Sequence, residues 1–175
     1  MSRREQFNAL AIQTYLWEWS GYHLGDPLLQ LGITPNRSKL KAVKDRVLRT
    51  AYQQAFKIDE QEAERALKHL QGKHGFFGGY ASGLYVYAQL ADKLGIEVSF
   101  RAAISWGDKM FPHYRKKIEQ QFQTKVFDTY GATEGVMIAG QCAEGNYHIL
   151  TPHVYLELLD ANGQEVVPGA IGHVV

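Results

Sequence analysis

This 175-residue sequence contains one cysteine, Cys142, five prolines and almost no excess of charge of either sign. A lone cysteine cannot build an internal disulfide framework, and sparse cysteine is typical of reducing compartments. Nineteen basic against eighteen acidic side chains leave a net charge of +1, whereas nucleic-acid-binding proteins usually carry a basic excess. The composition therefore predicts a cytoplasmic protein that does not bind nucleic acid.

Long apolar runs are also missing. The longest uncharged stretch, residues 75–91, contains four glycines and three tyrosines, and it is shorter than the ~20 apolar residues that span a bilayer. Near the N-terminus, Glu5, Gln6 and Asn8 interrupt any apolar signal sequence. With 45% hydrophobic and 21% charged residues, we expect one soluble globular unit with no membrane span.

The first segment, residues 1–72, is predicted to be helical. Three helices are expected to begin at capping residues, namely Ser2, Ser38 and Asp59. Glycines and prolines assign residues 24–38 to a loop. Because apolar residues recur at helical spacing after Ser38, the second helix is predicted to continue to Ala55.

Residues 73–135 alternate between strands and helices. Strands are predicted at residues 75–79, 98–104 and 125–129, and this alternation predicts a parallel sheet flanked by helices. Residues 136–175 are rich in short strands, so we expect an antiparallel β segment that leads into a part missing from this sequence. The predicted fold class is α/β, with a helical N-terminal third.

Polar side chains follow two of these strands. Gly107 and Asp108 come after the second strand, and the loop after the third contains Tyr130, Thr133 and Glu134. Ligands of open α/β sheets bind at the carboxyl ends of strands. There a tyrosine ring can stack on a nucleobase, a threonine hydroxyl can contact a phosphate, and a carboxylate can bind Mg²⁺. The alternative is a glycine-rich turn with a capping threonine and a solvated glutamate.

The segment DTYGATEG at residues 128–135 resembles the Tyr-Gly-x-Thr-Glu signature of adenylate-forming enzymes, which include acyl-CoA synthetases, peptide-synthetase adenylation domains and luciferases. The order of the surrounding segments, GYAS at 79–82, ISWGD at 104–108 and YHI at 147–149, resembles the phenylacetate–CoA ligase branch. Within that branch, the succession resembles especially the relatives assigned to capsular-polysaccharide biosynthesis. The resemblance implies part of the large N-terminal domain of such an enzyme.

The resemblance also implies roles for individual residues. The implied nucleotide-binding residues are Gly107, Asp108, Asp128, Tyr130, Gly131 and Thr133. The implied catalytic residues are Thr133 and Glu134, and Glu134 would also bind Mg²⁺. The implied substrate-binding residues are Tyr80, Ala81 and Ser82. The implied reaction joins a carboxylic acid to the α-phosphorus of ATP, giving an acyl-adenylate and pyrophosphate. Coenzyme A is the implied co-substrate that displaces AMP.

The sequence departs from that family at the phosphates. No Ser/Thr/Gly-rich loop followed by a lysine precedes the signature, and Ser82-Gly83 is the nearest approach. The family's ribose-binding aspartate and C-terminal lysine would lie beyond Val175. We therefore expect an internal fragment or truncated member, with exposed apolar surface that could support a homodimer. The alternative is a non-catalytic nucleotide-binding or interaction module derived from the family.

A zinc site is a further candidate, because Cys142, His148 and His153 are residues of the types that bind zinc. Their spacing is irregular and no Cys-x-x-Cys pair accompanies them. The pattern favours a buried thiol and two polar strand residues over a metal site.

Overall fold

The computed structural model describes residues 2–33, 38–132, 136–151 and 153–175 of the chain. The helices of these residues are α1 (Arg3–Glu18), α2 (Lys39–Val47), α3 (Glu60–Leu70), α4 (Ala81–Lys93) and α5 (Pro112–Phe122). The strands are β1 (Leu28–Gly32), β2 (Thr50–Gln54), β3 (Phe76–Tyr80), β4 (Ala102–Trp106), β5 (Val126–Gly131), β6 (Met137–Gln141), β7 (Tyr147–Ile149), β8 (Leu158–Leu159) and β9 (His173–Val174).

Seven strands form one sheet in the order β2-β1-β3-β4-β5-β6-β7. The five strands from β2 to β5 are parallel, whereas β6 and β7 continue the sheet in antiparallel pairing. Strands β8 and β9 form a separate antiparallel pair. The predicted fold class is confirmed, and the three strands predicted between residues 75 and 129 lie side by side as β3, β4 and β5.

Both faces of the parallel sheet are buried, which is why its central strands are apolar almost throughout. Neighbouring residues point to opposite faces, so Phe77 joins the core that α3, α4 and α5 cover, and Phe76 joins a second cluster. Trp17 and Tyr22, at and just after the end of α1, cover that second cluster.

The predicted helical third also contributes strands β1 and β2, which is a correction to the sequence analysis. The apolar residues of β1 lie inside the segment for which a loop is predicted. That prediction depends on the glycines and prolines that flank them. Helix α2 ends at Val47 and does not continue to Ala55. Its end is followed by Arg49, which has a left-handed φ of 54°. Glycine usually marks such a helix end, so an arginine there gives no signal in the sequence.

The position of α1 matters for the site described below. Leu16 packs so closely on β6 that a Cβ on Gly140 would lie 2.5 Å from Leu16 Cδ2. One residue later, the Trp17 ring stacks on Trp106 at the end of β4, with 5.2 Å between ring centroids. These contacts hold α1 near the carboxyl ends of the central strands. None of the helices described here combines the length and the apolar character needed to cross a membrane.

Leu31 provides a test of the packing of β1. Its side chain is fully buried in the core beneath α3 and α4, so Leu31→Ala should lower the free energy of unfolding by about 2–5 kcal/mol. Leu24→Ala is the matched control, because Leu24 is 66% exposed in the turn before β1 and should change stability by about 0.5 kcal/mol or less. Urea denaturation measures both values, and equal losses would contradict the placement of β1.

Candidate functional site

The two predicted loops meet at one cleft of about 670 Å³ at the carboxyl ends of β4 and β5. The strands are neighbours, with Ser105 paired to Asp128. The cleft is lined by Gly107, Asp108, Lys109, Met110, Asp128, Thr129, Tyr130, Gly131, Ile138, Ala139, Tyr147, Ile149 and Leu156. Five residues predicted to bind a nucleotide are therefore brought together, and the predicted adjacency of the loops is confirmed. The remaining predicted residues there, Thr133 and Glu134, lie outside the described residues.

Asp128 places a carboxylate in the wall of the cleft. The residue is 7% exposed, and its two oxygens accept hydrogen bonds from the hydroxyls of Ser105 and Tyr147. Burial raises the pKa of Tyr147, and the hydrogen bond to Asp128 and the negative charge of Asp128 raise this pKa further. The positive charge of Arg115 lowers it, but by less. Tyr147 therefore keeps its proton and remains a donor to Asp128.

Gly107 occupies a position that no other residue fits easily. Its φ of 83° is left-handed, and a Cβ there would lie 2.4 Å from Cε1 of Tyr80. The Tyr80 ring therefore packs directly on the backbone of this loop. Gly107 and Tyr130, which is 49% exposed, both border the cleft.

Asp108 joins the β4 loop to α4. Its carboxylate accepts hydrogen bonds from the backbone N–H groups of Ala81 and Ser82, at 2.5 and 3.1 Å. Tyr80, the N-cap residue itself, supplies no side-chain cap, so an aspartate distant in sequence caps this helix. The Asp108 carboxylate therefore stabilises the start of α4, and residues 107–108 also border the cleft.

The residues predicted to bind substrate are placed less uniformly. Tyr80 borders a second, smaller cleft that adjoins the first. Ala81 is fully buried, and Ser82 borders a separate depression beside Phe56 and Ala55. Of these three residues, Tyr80 is the one that borders either the first or the second cleft.

Sequence reasoning missed Ser105 and Tyr147 as parts of the site. Ser105 has a recognisable signal, because it is a polar residue in an otherwise apolar buried strand. Tyr147 has none, since its role depends on antiparallel pairing that brings β7 alongside β6 and its ring toward Asp128. Tyr147 lines the cleft, and Ser105 supports the Asp128 carboxylate from below the surface. The cleft is therefore partly apolar with an acceptor in its wall, which suits a heterocycle that carries a donor on its edge.

Cys142 and His148 lie near each other at the β6–β7 hairpin. Cys142 is partly exposed, so the expectation of a buried thiol is wrong. A hydrogen bond from His148 lowers the pKa of the Cys142 thiol, and backbone hydrogen bonds at Asn146 and Glu144 lower it further. Within the described ranges, no group of three or more histidine, cysteine, aspartate or glutamate side chains is arranged to hold a metal ion.

Removing the cap from α4 should be measurable. Asp108→Ala leaves two N–H groups of the first turn without their acceptor, so we expect the free energy of unfolding to fall by about 1–2 kcal/mol. Lys109→Ala changes the same loop without touching the cap and serves as the control. Equal stability of the two variants in urea would show that the cap contributes nothing.

The thiol gives a second measurement, because Cys142 is the one cysteine of the chain. The pH dependence of its alkylation by iodoacetamide should give a pKa below that of the same thiol in the urea-unfolded chain. His148→Ala should raise that pKa, whereas His153→Ala should leave it unchanged. A His148→Ala protein that titrates like the parent would contradict the assigned hydrogen bond.

Comparison with known proteins finds likeness at the level of fold. No protein-family model matches the chain, and no curated protein matches it. Among solved structures, 2-hydroxyisobutyryl-CoA ligase in the postadenylation state, in complex with an adenylate, matches with a TM-score of 0.78 and 16% identity. That match covers 100% of this chain and 40% of the ligase.

Two further solved structures are similar to this chain in fold. The amide bond synthetase McbA from Marinactinospora thermotolerans matches 95% of this chain with a TM-score of 0.63 and 14% identity, over 35% of its own length. MatB from Rhodopseudomonas palustris matches 95% with a TM-score of 0.59 and 17% identity, over 34% of its length. The chain therefore has the fold of a portion of these enzymes and spans less than half of their length.

Proposed function

We propose that the cleft at the ends of β4 and β5 binds an adenylate, and that in a longer protein it activates a carboxylic acid for transfer to coenzyme A. The observation that carries the proposal is the convergence of Gly107, Asp128 and Tyr130 on one cleft. The ligase whose fold this chain shares was solved with an acyl-adenylate, and in another structure with an adenylate and coenzyme A.

The described geometry supports the roles proposed for three residues. Tyr130 stacks on the adenine, the backbone at Gly107 lies along its edge, and the Asp128 carboxylate accepts from its exocyclic amine. Because Ser105 and Tyr147 already donate to Asp128, the carboxylate is held in place as an acceptor. A base with a carbonyl at that edge would meet repulsion instead.

The proposed chemistry conserves charge and atoms. A carboxylate oxygen of the acid attacks the α-phosphorus of ATP, and the bond from that phosphorus to the bridging oxygen breaks, releasing pyrophosphate. The thiol of coenzyme A then gives its proton to solvent and attacks the acyl carbonyl as a thiolate, and the bond from the acyl carbon to the phosphate oxygen breaks, releasing AMP. By residue type, Thr133 would contact the α-phosphate and the Glu134 carboxylate would bind Mg²⁺, which neutralises phosphate charge.

A second candidate is a non-catalytic nucleotide-binding or interaction module. The observation that favours it is that these 175 residues contain no Ser/Thr/Gly-rich run followed by a lysine. The adenine and α-phosphate retain partners in the proposed site, whereas the β- and γ-phosphates lack the donors of such a loop.

Four narrower proposals concern the branch of the family, the location, nucleic-acid binding and the oligomeric state. The order of segments supports the phenylacetate–CoA ligase branch and its capsular-polysaccharide relatives. The lone Cys142 supports a cytoplasmic location, and the near-neutral charge supports a protein without nucleic-acid partners. A homodimer is supported by the exposed apolar residues Leu40 and Val43 of α2.

Calorimetry with AMP and ATP tests the proposal on the 175-residue chain. Each absent charge-assisted hydrogen bond forfeits about 1.5–3 kcal/mol, so AMP or a stable acyl-adenylate analogue should bind at least as well as ATP. We also expect no release of pyrophosphate on incubation with ATP and a carboxylic acid. Tight ATP binding with pyrophosphate release would contradict this, and failure of every adenylate to bind would refute the site.

Tyr130→Ala should weaken AMP binding by about fivefold or more, because base–aromatic stacking is worth about 1–3 kcal/mol and 1.4 kcal/mol is about tenfold in affinity. Tyr15→Ala is the matched control, since Tyr15 is 52% exposed against 49% for Tyr130 and lines another groove, beside Trp19 and His148. Equal effects of the two substitutions would place the nucleotide elsewhere.

A further inference from the structure

Helix α2 leaves its apolar side uncovered. The helix packs against β2 at one edge of the sheet, yet none of its residues is buried. Leu40, Val43 and Val47 are 81%, 60% and 72% exposed. Because these residues are three and four positions apart, they form one row along the helix. This row, the α2 stripe, lies in solvent, whereas the apolar row of a surface helix usually faces the core.

Cations flank the α2 stripe. Successive residues of an α-helix are rotated by about 100°, which places Lys39 and Arg46 on one side of the stripe and Lys44 on the other. These three side chains and that of Lys41 are exposed. Asp45, the acidic residue of α2, lies on the opposite side of the helix and is half-buried. The surface around the stripe is therefore strongly positive.

This positive charge is local, because the whole chain has a net charge of +1. Long basic side chains can lay their methylene stems along apolar surface while their charged ends extend outward. An apolar row with basic residues beside it is typical of helices that lie in the interface of a bilayer. Anionic headgroups complement the cations there, and the boundary of the acyl chains takes up the apolar side chains.

A second copy of this chain is the competing occupant of the α2 stripe. In a symmetric pair the same surface serves both copies. Lys39, Lys44 and Arg46 of one copy would then approach the same three cations of the other, and like charges across an interface oppose binding. A soluble polyanion would pair with the cations but leave the apolar row in water. An anionic bilayer satisfies both features of the surface.

We propose that α2 attaches this chain to the surface of an anionic lipid bilayer, with the α2 stripe in the interface and Lys39, Lys44 and Arg46 at the headgroups. The attachment is peripheral and requires no spanning helix. Strands β1 and β3 separate β2 from β4 in the sheet, so the cleft at the ends of β4 and β5 lies away from α2. The inference therefore does not depend on the proposed function.

Co-sedimentation of the 175-residue chain with vesicles tests the proposal. Vesicles of phosphatidylcholine and phosphatidylserine in equal amounts should bind the chain at least about tenfold more tightly than vesicles of phosphatidylcholine alone, because each cation near an anionic surface contributes about fivefold. Added salt should weaken the binding, since it screens these charges. Equal binding to both kinds of vesicle, or no binding to either, overturns the proposal.

Val47→Gln tests the apolar row. It should weaken binding to the mixed vesicles by about threefold or more, because complete burial of a valine is worth about tenfold. Val167→Gln is the matched control, since Val167 is 71% exposed against 72% for Val47 and lies outside α2. The control should bind like the parent, and equal effects of the two substitutions contradict the assigned surface.

Lys44→Gln tests the cations and should weaken binding to the mixed vesicles by about fivefold. Lys116→Gln, which changes an exposed lysine of α5, is its control and should have no effect. Glutamine and lysine have similar helix propensities, and circular dichroism checks that each variant is folded. Equal loss in the two lysine variants would mean that overall charge, and not α2, governs the binding, which overturns the proposal.

Two further results would assign the surface to a different occupant. A dimer in analytical ultracentrifugation that Val47→Gln dissociates, together with no binding to vesicles, assigns the α2 stripe to a second copy. Binding to polyphosphate that Lys44→Gln weakens, together with vesicle binding that Val47→Gln leaves unchanged, assigns the cations to a soluble polyanion. Either result overturns the proposal, whereas weaker vesicle binding in both α2 variants with unchanged controls supports it.

Discussion

The parallel pairing of β3, β4 and β5 is the constraint on which the rest of this structure depends. Parallel strands end at one edge of a sheet, so the loops after Trp106 and Gly131 must lie side by side. The crossover helices α4 and α5 bury one face of these strands. The cleft residues at the ends of β4 and β5 take their places from this arrangement.

The strand ends are joined by polar contacts that serve the fold and the clefts together. The Asp108 carboxylate links the β4 loop to the first turn of α4. Thr129 donates to the backbone carbonyl of Ser105 at 2.8 Å, and Ser105 donates to Asp128. Satisfied hydrogen bonds of this kind are rigid in a buried setting. The acceptor in the cleft wall is therefore held before any ligand arrives.

Helix α1 has a different relation to the site. It precedes the sheet in sequence and belongs to none of the crossover units, yet its side chains border two separate grooves, one at Ala9 and one at Ala11. It reaches them because Leu16 packs on β6 and Trp17 stacks on Trp106. The shape of the smaller cleft thus depends on a contact between the beginning and the middle of the chain.

Much of this organisation could be read from the sequence alone. The alternation of apolar runs and helical stripes after residue 73 determined the parallel strands and their helices, because periodicity reflects burial directly. The Tyr-Gly-x-Thr-Glu segment and the glycine at 107 indicated which strand ends form the proposed site. The prediction was less accurate before residue 73. Arg49 follows the end of α2 in a left-handed conformation that glycine usually adopts, so no glycine marks the end of this helix in the sequence.

Only the tertiary structure decided which side chains complete the clefts. Tyr147 reaches Asp128 through the antiparallel turn of β6 into β7, and Gln13 borders the second cleft because α1 is anchored on distant strands. Asp108 caps a helix that begins 27 residues before it in the sequence. Such contacts join residues far apart in the chain, and local periodicity carries no information about them, because they arise from packing between elements.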